Sequence, residues 1–242
     1  MTVSTTEIKQ FYDDFTVSQK EMGINHRHLS IQRQLEKHGL KKGDSVLEVG
    51  CGIGTLTELM LRYLEPSANL TAVDVSEKSI AFAKERLSRY QNLTLEVFDF
   101  TQAVKESLYD VIVLPDVIEH IPLELHKQLF VNLSRMLKNS GFILIHIPDP
   151  NYLEWSKHHL KEALQIIDQP IHSHLLAQNL LGSDLYISYL KSYSVYFSRP
   201  DYQVVILRRI PADESYQSIT PKNESFFRRL KRKIEYYLRG KK

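Results

Sequence analysis

The chain has 242 residues, enough for one α/β domain with a full core, and its apolar (43%) and charged (25%) fractions are those of an ordinary folded protein. Its single cysteine excludes an internal disulfide, and no apolar run approaches the roughly 20 residues of a membrane span. The N-terminus also lacks the apolar core of a signal peptide, so we expect a cytoplasmic protein. Residues 1–221 carry 22 basic and 27 acidic side chains, a balance that argues against a long nucleic-acid substrate.

The first 42 residues are predicted to be helical. Leu29, Ile31, Leu35 and Leu40 recur at helical spacing, and the polar residues 41–44 form a turn before the first strand.

A glycine-rich turn follows the first predicted strand. Residues 46–49 form an apolar strand that contains Glu48, and glycines stand at positions 50, 52 and 54. Glycine lets the backbone approach a ligand closely at the mouth of a parallel sheet. Thr55 stands where a dinucleotide fingerprint requires its third glycine, and no basic residue lies near the turn. The turn therefore favours a nucleoside ligand that carries an ammonium or sulfonium group rather than phosphates.

Strands and helices alternate after this turn. Helices are predicted from Ser76 to Tyr90 and from Leu123 to Leu137, and strands at 71–74, 93–100, 109–116 and 141–148. Two further strands, 193–197 and 202–207, flank a hairpin turn, and we expect one of them to be antiparallel. This alternation predicts a largely parallel sheet with helices on both faces.

Glu48 and the three glycines resemble motif I of the class I S-adenosylmethionine (SAM) methyltransferases, and the strands ending near Asp74, Asp99 and Asp116 follow in the family's order. The resemblance implies a Rossmann-like, doubly wound, seven-stranded sheet, mostly parallel with one antiparallel strand, plus N-terminal helices. It implies that Asp74 accepts the ribose hydroxyls and that Asp99 faces the adenine amine. The full set of implied SAM-binding residues is Glu48, Gly50, Cys51, Gly52, Gly54, Asp74, Val75, Asp99, Phe100, Pro115 and Asp116.

The resemblance also implies a division of the chain. Residues 1–42 would form a helical lid and residues 43–210 the SAM-binding domain, in which the insertion 151–190 would build the acceptor pocket. Residues 211–242 form a basic tail, because residues 222–242 carry nine Lys or Arg against two Glu. Apolar residues of this tail recur every three or four positions, as in an amphipathic helix that binds an anionic membrane or docks on the protein itself.

Three histidines are candidate catalytic residues. His120 belongs to a Glu-His pair that resembles one found after the fourth strand of small-molecule methyltransferases, and His172 and His174 lie in the insertion. A histidine with a pKa of about 6.5 suits removal of a hydroxyl proton, while a hydrogen bond that orients the loop against the sheet is the alternative role for His120. We assign no metal ligands.

These features predict a SAM-dependent methyltransferase acting on a small-molecule or glycan-type acceptor, most simply at oxygen. One alternative is a metal-dependent RNA 3′-terminal 2′-O-methyltransferase, with Asp116, Glu119, His120 and a later histidine as ligands. Asp116 departs from that pattern, which has Glu in its place. A second alternative is a protein that binds SAM without chemistry. The tail predicts peripheral contact with the inner face of the membrane.

Overall fold

A computed structural model describes residues 23–160 and 167–211, together with residues 230–231 and 234–235. The chain divides into two compact units, Met1–Ile210 and Pro211–Lys242. In the second unit Pro211 lies outside any helix or strand, and the other four described residues, Leu230, Lys231, Ile234 and Glu235, are helical. The other residues of the predicted amphipathic tail, and residues 1–22 of the predicted lid, lie outside the described part of the chain.

Within residues 23–160 and 167–211, seven strands form one sheet. In chain order the elements are α1 (His26–His38), β1 (Ser45–Val49), α2 (Thr55–Tyr63), β2 (Asn69–Asp74), α3 (Glu77–Arg86), β3 (Leu93–Val97), β4 (Tyr109–Pro115), α4 (Leu123–Met136), β5 (Leu137–Pro148), α5 (Pro150–His159), α6 (Ser173–Asn179), β6 (Leu185–Tyr193) and β7 (Tyr202–Arg209). The strand order is β3-β2-β1-β4-β5-β7-β6. Only β7 runs antiparallel to its neighbours β5 and β6, so the predicted doubly wound α/β sheet with one antiparallel strand is confirmed.

The sheet buries apolar side chains on both faces. In β4, Ile112 and Leu114 belong to one buried cluster, and Val111 and Val113 belong to another. Alternate residues of a strand point to opposite faces, so the two clusters form the cores above and below the sheet. Strands buried on both faces read as continuous apolar runs, which is why the sequence located them well.

Helix α1 begins and ends at residues with recognisable capping chemistry. The Asn25 side chain accepts hydrogen bonds from the backbone N–H groups of Arg27 and His28, and Gly39 ends the helix with a φ of 118°. Of the periodic residues that predicted this helix, Ile31 and Leu35 are buried and Leu29 is exposed. The cap fixes the start of the helix, and residues 25–28 lie near the carboxyl ends of β1, β2 and β4.

Four predicted boundaries were wrong by three residues or more. Helix α3 ends at Arg86 and not at Tyr90, and β3 ends at Val97 and not at residue 100. Strand β5 begins at Leu137, directly after α4, and not at Gly141. The penultimate strand spans Leu185–Tyr193, whereas residues 194–201 form the connecting loop. There the Asp201 carboxylate accepts hydrogen bonds from the backbone N–H groups of Val195 and Tyr196, at 2.7 and 3.0 Å. A side chain thus accepts hydrogen bonds from N–H groups that would otherwise pair with a neighbouring strand. Because β6 begins at Leu185, the segment between β5 and β6 ends at residue 184.

Candidate functional site

A cavity of about 1070 Å³ opens beside the glycine-rich turn, where β1, β2 and β4 end. Ligand sites of open α/β sheets lie at the carboxyl ends of the strands. The lining includes the following residues singled out from the sequence: Glu48, Gly50, Cys51, Gly52, Asp74, Val75, Asp99, Phe100, Pro115, Asp116 and His120. The cavity is large enough for a nucleoside-sized ligand together with a small acceptor.

The glycine turn depends on conformations that other residues rarely adopt. Gly50, Gly52 and Gly54 have φ angles of 78°, 52° and 80°. A Cβ at Gly50 would lie 2.4 Å from a methyl group of Val117. Gly54 does not line the cavity; it caps α2, and a Cβ there would lie 2.6 Å from Leu87. Gly50 and Gly52 thus shape the ligand side of the turn, and Gly54 lets helix α2 pack closely.

Glu48 is fully buried beneath this turn. Its Oε2 accepts a hydrogen bond of 2.5 Å from the Thr57 hydroxyl, and its Oε1 has no partner among the described residues. Burial raises the pKa of Glu48 to about 8, although the Thr57 bond opposes this. Glu48 is therefore neutral at pH 7 in this structure, and a cation arriving beside it would favour its ionised form.

The two aspartates are held by different partners. Asp74 accepts backbone hydrogen bonds from Gly52, at 2.8 Å, and from Ser76, at 2.9 Å. The Asp99 carboxylate accepts from the backbone and hydroxyl of Thr101 and from the Gln102 amide. Both aspartates line the cavity, where a ligand can reach them.

A chain of polar contacts joins helix α1 to the ends of the strands. Arg27 forms an ion pair with Asp116, whose other oxygen lies 3.3 Å from Nδ1 of His146. His146 Nε2 lies 2.7 Å from the Tyr193 hydroxyl, which lies 2.8 Å from the Ser30 hydroxyl. Because a carboxylate only accepts, Nδ1 of His146 carries the proton, and its Nε2 accepts from Tyr193. Burial, reinforced by Arg27, lowers the pKa of His146 to about 3.

Asp116 adopts a conformation that is rare for a residue other than glycine. Its φ is 54°, and its backbone N–H donates to the His146 carbonyl at 2.7 Å. Strained backbone of this kind clusters at ligand sites. Here it turns the Asp116 side chain into the cavity lining, where Arg27 meets it.

His120 lies in a short helical turn after β4 and lines the cavity. Its Nδ1 is 2.6 Å from the carbonyl oxygen of Ile167, and Oδ1 of Asp168 is 3.3 Å from the same nitrogen. The neighbouring Glu119 is only 1% exposed, and neither of its oxygens has a hydrogen-bond partner outside its own residue in the described part of the chain. Burial raises the pKa of Glu119 to about 8.

The other two candidate histidines are not among the cavity-lining residues. His172 lies 2.8 Å from a carboxylate oxygen of Glu154, and its ring stacks on His174, which is exposed. Across residues 23–160 and 167–211, no three His, Cys, Asp or Glu side chains are grouped to hold a metal ion. In particular Asp116, a ligand in the metal hypothesis, is paired with Arg27.

Sequence reasoning missed several residues that line the cavity: Arg27, His28, Tyr196 and Tyr202. Arg27 and His28 lie in α1. Tyr196 lies in the loop after β6, and Tyr202 is the first residue of β7. Their positions gave little signal, because a basic residue on a helix or a tyrosine near a strand is most often a surface or packing residue. One usable sign was His146, a polar residue inside the apolar run of β5.

Comparison with known proteins finds similarity to methyltransferases. Residues 47–143 match the family described as a methyltransferase domain. A malonyl-[acyl-carrier protein] O-methyltransferase of Bacillus cytotoxicus is 38% identical over 103 residues, which cover 42% of this chain and 34% of that protein. A ubiquinone biosynthesis O-methyltransferase of Coxiella burnetii is 30% identical over 114 residues, 46% of this chain and 44% of that protein. The chain thus matches between about a third and a half of the length of these curated relatives.

Solved structures extend the likeness to most of the chain. Magnesium protoporphyrin IX methyltransferase from Synechocystis PCC 6803, with bound S-adenosylhomocysteine (SAH), aligns with a TM-score of 0.66 at 17% identity and covers 86% of this chain and all of its own. The N-methyltransferase NodS from Bradyrhizobium japonicum, also with SAH, aligns at 0.58 and 20% identity over 76% of this chain and 85% of its own. At these identities the structures establish the fold.

Proposed function

We propose that this chain is a class I SAM-dependent methyltransferase and that it transfers a methyl group from SAM to an oxygen of a small-molecule or glycan-type acceptor. The observation that carries the proposal is that His120 lines the same cavity as the glycine turn and Asp74. A group able to take a proton therefore lines the same cavity as the features typical of a SAM site.

The chemistry of the lining fits SAM. The glycine turn leaves space that a Cβ at Gly50 would fill, and the buried Glu48 oxygen lacks a partner that an ammonium could supply. Asp74 would accept the ribose hydroxyls, and Asp99 with Phe100 would face the adenine. The other predicted SAM-binding residues that line the cavity, Cys51, Gly52, Val75, Pro115 and Asp116, would complete the pocket, with Gly54 supporting the turn from behind.

Arg27 adds a recognition element that the sequence did not suggest. Among the described lining residues it is the only Lys or Arg, and SAM carries a carboxylate at its methionine end. A guanidinium has five N–H donors, so Arg27 can keep its ion pair with Asp116 and still bind that carboxylate. Residues 23–28, which belong to the described part of the predicted lid, would then close the cofactor end of the cavity.

His120 would act as the general base. Bound SAM supplies a methyl group activated by a sulfonium. The acceptor oxygen must lose a proton as it bonds to this methyl group, and Nε2 of His120 takes that proton. Burial lowers the pKa of His120, so the ring is neutral and ready to accept at pH 7. The products are the methylated acceptor, SAH and an imidazolium that returns its proton to water.

Radiolabelled methyl transfer to candidate acceptors tests this function. We expect His120→Ala to bind SAM normally and to lose about 10² to 10⁴ in turnover. His172→Ala is the matched control, because His172 is not among the cavity-lining residues and pairs with Glu154. Unchanged turnover in His120→Ala would leave alignment of the substrates as the mechanism. Loss of activity with a chelator and rescue by a divalent ion would instead support the metal-dependent alternative.

For the C-terminal tail, residues 211–242, we propose reversible binding to an anionic membrane surface. The support is its sequence: a net charge of +7 over residues 222–242, with apolar residues at helical spacing. No helix in the described part of the chain is long and apolar enough to cross a membrane. Tail binding would hold the enzyme at the inner face of the membrane, near lipid-linked or surface-glycan acceptors.

A further inference from the structure

The segment around Gln169 is fastened to the turn that carries His120. The Gln169 backbone N–H donates to the Glu119 carbonyl at 3.0 Å, and its side-chain amide donates to the Ile121 carbonyl at 2.7 Å. These bonds connect positions nearly 50 residues apart on both sides of His120. The two residues before Gln169 are thereby held against the imidazole ring.

This arrangement determines which nitrogen of His120 carries the proton. The Ile167 carbonyl, 2.6 Å from Nδ1, can only accept a hydrogen bond, so Nδ1 must be the donor. The neutral ring then has its basic lone pair on Nε2. The second contact, Asp168 Oδ1 at 3.3 Å, places a carboxylate beside the same N–H. A carboxylate there stabilises the imidazolium that forms when Nε2 accepts a proton.

We infer that Asp168 is a positioning residue for His120, which holds the Nδ1–H tautomer and supports the protonated ring during methyl transfer. The inference rests on the proposed role of His120 as base. Asp168 lies outside the SAM-binding motifs, and its side chain and that of His120 are each only 10% exposed.

Three charged or titratable groups act on His120 besides its own burial. Asp168 favours the protonated ring, whereas Arg27 disfavours it. Glu119, whose Oε1 lies 3.8 Å from Nε2, is neutral at pH 7, because burial raises its pKa to about 8. Asp168 is therefore the carboxylate that supports the imidazolium at neutral pH.

The test is NMR spectroscopy of the full chain labelled with ¹⁵N-histidine and loaded with SAH. Long-range ¹H–¹⁵N spectra report the tautomer directly, and a pH titration reports the pKa of each ring. We expect the neutral His120 ring to carry its proton on Nδ1, Asp168→Asn to lower the pKa of His120, and Asp168→Glu to restore it in part. Glu154→Gln, which removes the carboxylate beside His172, is the matched control and should leave the His120 titration unchanged.

A proton on Nε2 in the unaltered chain would overturn the inference without any variant. An unchanged His120 titration in Asp168→Asn would overturn it too. If Asp168→Asn fails to fold, the titration of Asp168→Glu decides instead: moving the carboxylate by one methylene should still lower the pKa of His120, and an unchanged titration would overturn the inference. Calorimetric SAH binding and methyl transfer by the unaltered chain are separate readouts, so failure of the proposed function is distinguishable from failure of this inference.

Discussion

Replacing Glu119 by Gln should make the protein more stable at neutral and alkaline pH. The Glu119 carboxyl is 1% exposed and lacks a hydrogen-bond partner from any other described residue. Burial raises its pKa from 4.5 to about 8, and only its own backbone N–H and Arg27 oppose this. The native state therefore keeps the proton between pH 4.5 and 8, whereas the unfolded chain releases it. Because the native state binds this proton more tightly than the unfolded chain, the free energy of unfolding falls as the pH rises from 4.5 to 8.

The magnitude follows from the pKa difference. Each pKa unit corresponds to about 1.4 kcal/mol, so holding the proton at pH 7 costs about 3 kcal/mol relative to pH 4.5, and close to 5 kcal/mol above pH 8. A Gln side chain does not ionise in either state and avoids this cost. Burying the Gln amide without hydrogen-bond partners costs about 1 to 3 kcal/mol at every pH, which offsets part of the gain in stability. The net gain at pH 8 should therefore be about 2 kcal/mol or more.

Urea unfolding of both proteins from pH 4.5 to pH 8.5 measures this effect. The difference in unfolding free energy should grow with pH and level off above pH 8, because only the carboxyl titrates. Glu85→Gln, a change at an exposed glutamate of α3, is the control and should show no such slope. A difference in unfolding free energy between the Glu119→Gln and unaltered proteins that stays constant with pH would refute the argument. Such a difference would come from burial of the amide alone and not from titration of the Glu119 carboxyl.

Three other outcomes are expected. Asp74→Ala should weaken SAM binding by about 2 to 4 kcal/mol, because two ribose hydroxyls would lose a charged acceptor; unchanged affinity in calorimetry would remove Asp74 from the ribose site. Gly50→Ala should destabilise the fold by about 1 to 3 kcal/mol in thermal unfolding, because its Cβ would meet Val117 at a positive φ, whereas Gly43→Ala, in open space, should be nearly neutral. A chain truncated after Thr220 should no longer co-sediment with anionic vesicles at low salt; equal sedimentation of both chains, or of neither, would contradict membrane binding by the tail.

The sequence by itself predicted the glycine turn, the acidic residues at the ends of the strands and most of the sheet. Strand β1, the glycine turn and Asp74, the last residue of β2, all lie within residues 45–74, so their chemistry can be read from local order and spacing. The sheet was predictable for a related reason: strands buried on both faces must be apolar throughout. The end of β6 was not predictable in this way. The Asp201 carboxylate accepts hydrogen bonds from the backbone N–H groups of residues 195 and 196, and no local pattern indicated that the strand would end at Tyr193.

Only the tertiary structure decided the rest of the site. Arg27 meets Asp116 across 89 positions of sequence, and residues 167 and 168 reach His120 across almost 50, because the ends of the parallel strands and the helix before them converge at one edge of the sheet. The same convergence left His172 and His174 outside the cavity lining. Spacing along the chain carries no information about such contacts, since they depend on where long connections return to the sheet. Burial, which raises the pKa of Glu48 and Glu119 and lowers that of His146, is likewise a property of the packed fold.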